Sequence, residues 1–339
     1  NTMADIALRS PQFKYKPIAA TGVISTVCTV TVGGTLRYTL TKNVAASTTV
    51  NFEISELARD YLGIEYDSNF ITQYVDIVTV LTNYAGLNGT GLVVGTATTF
   101  TDRGFESYGT FEEGVNPSFI GDRTNPTVLI AKDNITNSIT PPTFTILTPT
   151  GKSGTVTDIS SSGALGSVTY STSATSTTIS GITINIKRID CTKYGAGRKI
   201  IFINKFGTQQ ELWFFLKEVK SIGRTNEGYK SNTITYPTTD NSATYSVNDA
   251  ANKVFNTQAK QSHVLSSGYY PEFANEFFEQ LLLSEYVWME RLKKGTNIVE
   301  VIPVKVKTSS MTFKTSVNDR LIEYNMNFEE AFDYINNIR

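Results

Sequence analysis

The run GVISTVCTVTVGGTLRYTL, residues Gly22 to Leu40, decides the fold. Val23, Val27, Val30 and Val32 stand among threonines, and β-branched side chains fit a pleated, half-buried surface. Gly33 and Gly34 interrupt the run with turn residues, so two strands and a hairpin are expected.

Outward from this hairpin the period changes. Ile54, Leu57, Ala58, Tyr61 and Leu62 follow the i, i+3, i+4, i+7, i+8 spacing, and Gly63 stands where a helix would cap, which predicts a short helix packed on a sheet. Phe70 to Val80 returns to strand character and Asn83 to Gly95 reads as a loop. Asp102 to Pro126, rich in Gly, Pro, Asn and Asp, reads as an irregular excursion docked on the surface. These elements form an N-terminal β-rich domain over residues 1–133.

Residues 134–181 read as a Ser/Thr-rich insertion or linker. From Gly151 to Gly181, sixteen of thirty-one residues are Ser or Thr, too few large side chains for a core of their own. Ile159, Leu165, Val168, Tyr170 and the stretch Ile179 to Ile186 keep fragments of period two, so exposed strands are favoured over disorder.

The C-terminal β-rich domain covers residues 182–339. Lys199 to Asn204 and Gln209 to Val219 read as strands joined across Lys205, Phe206 and Gly207. Trp213, Phe214 and Phe215 would send large rings to both faces, so this strand is expected to be central or covered. The clearest helix spans Pro271 to Leu283. Pro271 suits its first turn, and Phe273, Phe277 and Leu281 line up beside Ala274, Phe278 and Leu282, while Glu272, Asn275, Glu276 and Glu279 face water. Strands follow at Glu285 to Leu292, Ile298 to Val306, Ser309 to Thr315 and Leu321 to Phe328, with turns at Lys294-Gly295 and Asn318-Asp319, an antiparallel meander. Phe52 to Leu62 echoes Phe273 to Leu283, which suggests an internal duplication. The expected fold class is mainly β: two antiparallel β-sandwich-like domains, each with a short α-helix, around the Ser/Thr-rich insertion.

Composition narrows the function. Only 18% of residues are charged, and 30 Lys and Arg against 31 Asp and Glu leave a net charge of −1. Without a basic run, nucleic-acid binding by counterion release is not expected. No apolar run reaches the length of a membrane span, and Asn1 to Pro11 lacks the apolar core of a secretory leader, so neither is expected. Cys28 and Cys191 have no metal-ligand spacing and read as buried hydrophobes. The sequons at Asn88 and Asn134 read as chance matches.

Catalytic patterns are missing. The single histidine, His263, has no Cys or Asp pair at ligand spacing and reads as a loop residue before a helix. Thr150 to Ser153 resemble the end of a phosphate-binding loop, yet Ile146 occupies the position of the required glycine. Glu112 with Glu113 and Glu329 with Glu330 are carboxylate pairs that read as solvated faces. No catalytic, cofactor-binding or metal-binding residue is assigned, no cofactor is implied, and no enzymatic activity is expected.

The aromatic load is the positive signal: 17 Tyr, 19 Phe and 2 Trp on a charge-poor chain. Trp213, Phe277 and Phe278 are expected in the core. Tyr269, Tyr270, Tyr286 and Trp288 flank the helix and are candidate interface residues, because Tyr and Trp combine apolar area with a polar tip. Pro303 joins them, since proline within Ile298 to Val306 suggests an edge strand or a bulge that guides pairing with a neighbour.

Three C-terminal blocks carry a resemblance: FINKFGTQQELWFFLKEVKSIG from Phe202 to Gly223, EFFEQLLLSEYVWM from Glu276 to Met289, and VIPVKVKTSSMTFKTSVNDRLIEYNMNFEEAFD from Val301 to Asp333. With FEISELARDYL, Phe52 to Leu62, they resemble virion structural proteins of tailed bacteriophages, particularly of phages infecting Bacteroidetes-type hosts. The resemblance covers about half of the chain and implies a neck, tail or baseplate component in the virion, assembled in the host cytoplasm. It implies contacts with other virion proteins and a ring-shaped homo-oligomer, with no nucleic acid and no membrane. Two other readings compete: a receptor- or carbohydrate-binding surface module using the Ser/Thr-rich insertion and exposed tyrosines, and a polysaccharide-degrading enzyme, which needs two carboxylates across a groove.

Overall fold

The computed structural model describes residues 4–18, 21–44, 48–68, 73–111, 124–125, 143–159, 165–179, 182–189, 197–237, 239, 242–293, 295–314 and 321–335. Strands dominate it, in several mostly antiparallel sheets.

The N-terminal unit contains β1 (Ala4–Ala7), β2 (Phe13–Pro17), β3 (Ser25–Val32), β4 (Thr35–Asn43), β5 (Thr49–Glu53), α1 (Ser55–Arg59), β6 (Val75–Tyr84) and β7 (Thr98–Phe105). The expected hairpin is β3 and β4. Gly33 at φ 59° and Gly34 at φ 78° make its turn, a conformation a Cβ would disfavour at both positions. Cys28, Val30 and Val32 alternate inward with Ile77 and Leu81 of β6. The five-stranded sheet has the order β1-β7-β6-β3-β4, with β1 parallel to β7. A two-stranded ribbon of β2 and β5 and the helix α1 pack on it, adding Val50, Phe52, Ile54, Ala58 and Leu62 to one core. The helix is shorter than its periodicity suggests, and Tyr61 points to solvent.

One expectation fails here. Asp102 to Phe105 ends strand β7 instead of opening an irregular excursion, and all four residues are buried. Their polarity misled the reading: Asp102 and Arg103 are inside because Lys14 and Asp5 neutralise them at 2.7 Å each. Of the rest of that stretch, residues 112–123 and 126 lie outside the described residues.

The Ser/Thr-rich segment forms strands. Its strands β9 (Thr143–Pro149), β10 (Gly154–Ile159), β11 (Leu165–Tyr170) and β12 (Ser176–Ile179) join β8 (Thr124–Asn125) before it and β13 (Ile182–Ile189) after it in two three-stranded sheets. Val156, Tyr170, Ile179, Ile184 and Ile186 are its small core. Arg188 ties the connections together by donating to the carbonyls of Lys152, Ser171 and Ala174. β13 pairs with β9 and β12, so Ile182 to Ile189 belongs to this layer, while Leu147 and Ile189 reach the larger C-terminal core.

The C-terminal unit comprises β14 (Arg198–Ile203), β15 (Gln209–Phe214), β16 (Glu218–Lys230), β17 (Ile234–Thr235), β18 (Thr244–Tyr245), β19 (Asn252–Ser266), β20 (Tyr270–Pro271), α2 (Asn275–Leu283), β21 (Val287–Leu292), β22 (Val299–Val306), β23 (Leu321–Ile322) and β24 (Asn325–Glu330). Its antiparallel sheet has the order β15-β14-β21-β22-β24-β19-β16. Phe277, Phe278 and Leu281 of α2 cover one face, where Phe278 meets Phe214, Tyr270 and Tyr324 edge-on.

Three expectations are corrected in this unit. The helix begins as a 3-10 turn at Glu272–Ala274, and Pro271 precedes it in a two-residue strand. β15, with Trp213 and Phe214, is an edge strand whose faces are covered, the second of the two placements expected of it. Ser309 to Lys314 is not a strand, so the meander is interrupted; the turn at Asn318-Asp319 and Lys294 lie outside the described residues. Pro303 sits on an interior strand, β22, opposite Trp288. Its carbonyl accepts from Ala331 N at 3.0 Å, just past the end of β24. The ring nitrogen therefore faces a position where no strand asks for a donor.

The two units meet on the other face of the large sheet. Ile64 and Tyr66 pack on Ile201, Ile203 and Trp288. Gly207 at φ 81° closes the β14–β15 turn so near Phe105 and Glu106 that a Cβ would lie 3.0 Å from the Phe105 side chain.

Candidate interaction surface

The five predicted interface residues divide by environment. Tyr270 is fully buried, and its hydroxyl donates to Trp213 O at 2.6 Å. Trp288 is buried against Tyr66, with ring centroids 6.0 Å apart, and Tyr286 flanks the same contact. Burial pushes the Tyr286 hydroxyl above its ordinary value. The alternation of Tyr286 and Trp288 thus serves a contact inside the chain, between its two units. Pro303 is half-buried in the sheet, and Tyr269, 55% exposed, is the one of the five that projects freely into solvent.

A more extended exposed feature than Tyr269 lies elsewhere. β16 and β19 pair from Glu218 with Leu265 out to Lys230 with Asn252. β24 accompanies β19 only between Ser262 and Ser266, and the final tie is Tyr334 N to Ala259 O at 2.7 Å. Beyond it, among the described residues, Thr225 to Lys230 pairs only with the opposing strand, a ribbon of about 20 Å at roughly 3.3 Å per residue. The tip follows, closed by Ile234 opposite Tyr245 and Thr235 opposite Thr244.

This arm is apolar where it is most exposed. Ile234, Tyr236, Tyr245 and Val247 stand at the tip, and Val247 is 88% exposed. A register shift at Glu227/Gly228 makes Phe255 the extra residue of a bulge, with its ring 6.4 Å from Tyr229, and such a bulge twists the ribbon and re-aims the side chain. The sequence reading passed over this arm because neither strand has a face that is buried along its length. The available signal was β-branched and Tyr residues on both sides of the Asn- and Thr-rich stretch from Ser231 to Ala251.

The arm's root is fixed by charge. His263, expected in a loop, is buried in β19 between two carboxylates: Nδ1 lies 2.9 Å from Glu218 Oε1 and Nε2 lies 3.1 Å from Glu330 Oε1. Arg198 Nε and Nη2 each reach Glu218 Oε2 at 2.8 Å, and Arg291 Nη1 donates to Glu330 at 2.5 Å. Hydrogen bonding from His263 and Arg198 holds the Glu218 carboxyl down to about 2.

Other polar clusters are committed to internal partners. Glu329 faces Lys260 and Lys307, so the Glu329 and Glu330 pair splits to two sides of one strand; Glu112 and Glu113 lie outside the described residues. Glu211 and Glu290 share Lys199 Nζ at 3.3 and 2.6 Å, and burial raises the Glu211 carboxyl. Burial pushes the Cys28 thiol to about 11, which keeps it protonated; Cys191 and Asn134 lie outside the described residues. Among the described residues no group of three His, Cys, Asp or Glu could hold a metal ion, and no helix is long and apolar enough to cross a membrane. A shallow cleft of about 470 Å³ beside Lys42, Asn43 and Thr48 to Asn51 has no acid, histidine or thiol in its lining. Comparison with protein-family models, with curated proteins and with solved structures finds no match for this chain.

Proposed function

We propose that the chain is a structural component of a tailed-phage virion, in the neck, tail or baseplate, assembled as multiple copies through protein-protein interfaces. One observation carries the reading: the β16–β19 arm leaves its sheet and holds Ile234, Tyr236, Tyr245 and Val247 in solvent. A clustered apolar tip on a paired scaffold marks a contact surface, and a ribbon edge adds backbone donors and acceptors for strand addition. The three C-terminal blocks that resemble virion proteins support the same reading, because they meet in one sheet and its covering helix, and the first runs into the arm at Gly223. The partners are further copies and other virion proteins, and the place of action is the virion assembled in the host cytoplasm. No reaction or cofactor is part of this role.

Light scattering on the purified full chain over a hundredfold concentration range, followed by negative-stain imaging, tests the proposal. Mass that grows with concentration and closed rings in the images are expected. A strict monomer throughout would sink it. Tyr236 and Tyr245 also offer flat rings on which a sugar could stack, so a glycan array is the companion measurement: selective binding by a monomer would move the assignment to a carbohydrate-binding module.

A further inference from the structure

An amine and two carboxyl groups meet on the face of the large sheet against which Tyr66 packs. Lys199 on β14 stands opposite Glu290 on β21, one pair beyond Ile200 and Met289 in the antiparallel register, and its Nζ lies 2.6 Å from Glu290 Oε2. Glu211 of β15 brings Oε1 to 3.3 Å from the same nitrogen. The Lys199 and Glu211 side chains are only 17% and 16% exposed, and the Trp213 ring lies 5.7 Å from Nζ. Trp213, paired with Lys199 across the hairpin, also has a buried Nε1–H with no acceptor among the described residues. A buried donor left open beside an amine and two acids asks for a physical reason.

We infer that Lys199 and Glu290 condense into an intramolecular isopeptide bond, with Glu211 as the general acid. The step balances without a co-reactant. The Lys199 ammonium passes one proton along the 2.6 Å contact to Glu290, and the freed amine attacks Cδ of the resulting carboxylic acid. Glu211 gives its proton to the departing hydroxyl. The Cδ–O bond breaks, the Nζ–Cδ bond remains, one water leaves, and the second proton lost by the nitrogen restores Glu211. Burial raises the Glu211 carboxyl, which suits an acid that must hold a proton until it is needed. Burial alone would lower the Lys199 ammonium, but the two carboxylates outweigh it and raise it, so the proton moves within the cluster and the reaction is a slow, single maturation step without turnover. Fixed cross-strand geometry supplies the effective concentration, and the open Trp213 Nε1–H is available to the oxyanion that develops on Glu290.

The product also suits its place. A neutral amide replaces two ions whose partial burial costs desolvation. β14 and β21 share three registered pairs, whereas β14–β15 and β21–β22 each have six, so the amide reinforces the shorter seam. It closes a loop that contains β15, both arm strands and α2. Both partners belong to one chain, so the inference does not depend on assembly.

Intact mass spectrometry of the purified full chain under denaturing conditions tests this. A mass lighter than the sequence by one water is expected, with one branched peptide joining Lys199 to Glu290 after digestion. Lys199→Arg keeps the charge but not the amine and should restore the full mass. Glu290→Gln should lose ammonia in place of water, because the same amide forms from a carboxamide. Glu211→Gln should slow the condensation at least about tenfold, the lower end of what a general acid contributes. Circular dichroism confirms that each variant is folded. A parent chain with its full sequence mass overturns the inference. So does a water loss that maps to an aspartate succinimide while the peptides across Lys199 and Glu290 stay linear.

Discussion

His263 Nδ1 lies 2.9 Å from Glu218 Oε1, joining the two arm strands at their root, where β24 still pairs with β19. Glu218 is held near 2, below its ordinary 4.5, chiefly by the His263 hydrogen bond and then by Arg198. A carboxyl with a lowered folded value contributes stability that is complete above 4.5 and lost as pH falls toward 2. For a side chain 26% exposed, solvent screening reduces the contribution to on the order of 2 kcal/mol. Amide exchange along β16 and β19 should therefore accelerate between pH 4.5 and 2, and Glu218→Gln should flatten that dependence. Equal acid sensitivity in both proteins would show that the latch lies elsewhere.

Strand β2 turns Lys14 and Lys16 inward and Phe13 and Tyr15 to solvent, which reverses the usual ranking of substitutions. Lys14→Met leaves the Asp102 carboxyl buried without its cation and should cost about 3 kcal/mol, whereas Phe13→Ser on the outer face should cost less than about 1 kcal/mol. Burial already raises the Asp102 carboxyl, with Lys14 pulling it back. The Lys14→Met deficit should therefore shrink as pH falls toward 3.8, the ordinary value, because protonated Asp102 needs no cation. Urea unfolding at pH 7 and pH 4 measures both effects.

The elements legible in the sequence were those in which one local signal suffices. Gly33-Gly34 between Thr- and Val-rich runs placed the first hairpin, and the Phe277, Phe278 and Leu281 spacing placed α2. Elements that depend on partners distant in sequence were not legible. β7 looked like a loop because Asp102 and Arg103 are tolerated inside only through Lys14 and Asp5, nearly a hundred residues earlier. Pro303 suggested an edge because the end of β24 beside it is set by tertiary pairing. The arm was invisible for the opposite reason: its distal strands pair with each other and bury little, so no period marks a face.

Arg59 couples the two units. Its guanidinium grips Glu106 with Nε at 3.1 Å and Nη2 at 2.6 Å, and Nη2 also reaches Glu285 of the C-terminal unit at 2.6 Å. Glu106 is almost fully buried and Glu285 about half exposed. Arg59→Ala should cost about 3 kcal/mol by stranding Glu106, with Arg9 only 3.8 Å away as partial relief. Glu285→Ala should cost less than about 1 kcal/mol. Differential scanning calorimetry should show one transition in the parent and two in Arg59→Ala, where the units melt apart; a single unshifted transition would argue against the coupling.

Tyr269 and Tyr270 are neighbours with opposite environments, and the contrast tests which aromatics carry stability. Tyr270 donates its hydroxyl to Trp213 O at 2.6 Å and meets Phe278 at 5.4 Å, edge to face. Tyr270→Phe would strand the Trp213 carbonyl and should cost about 1 to 2 kcal/mol. Tyr270→Ala would also open a cavity beside Phe278 and should cost about 3 to 5 kcal/mol. Tyr269→Ala, on a ring that faces solvent, should stay within about 0.5 kcal/mol. Chemical denaturation of the three variants orders them, and if Tyr269→Ala proves as damaging as Tyr270→Ala, the placement of this segment over α2 is wrong.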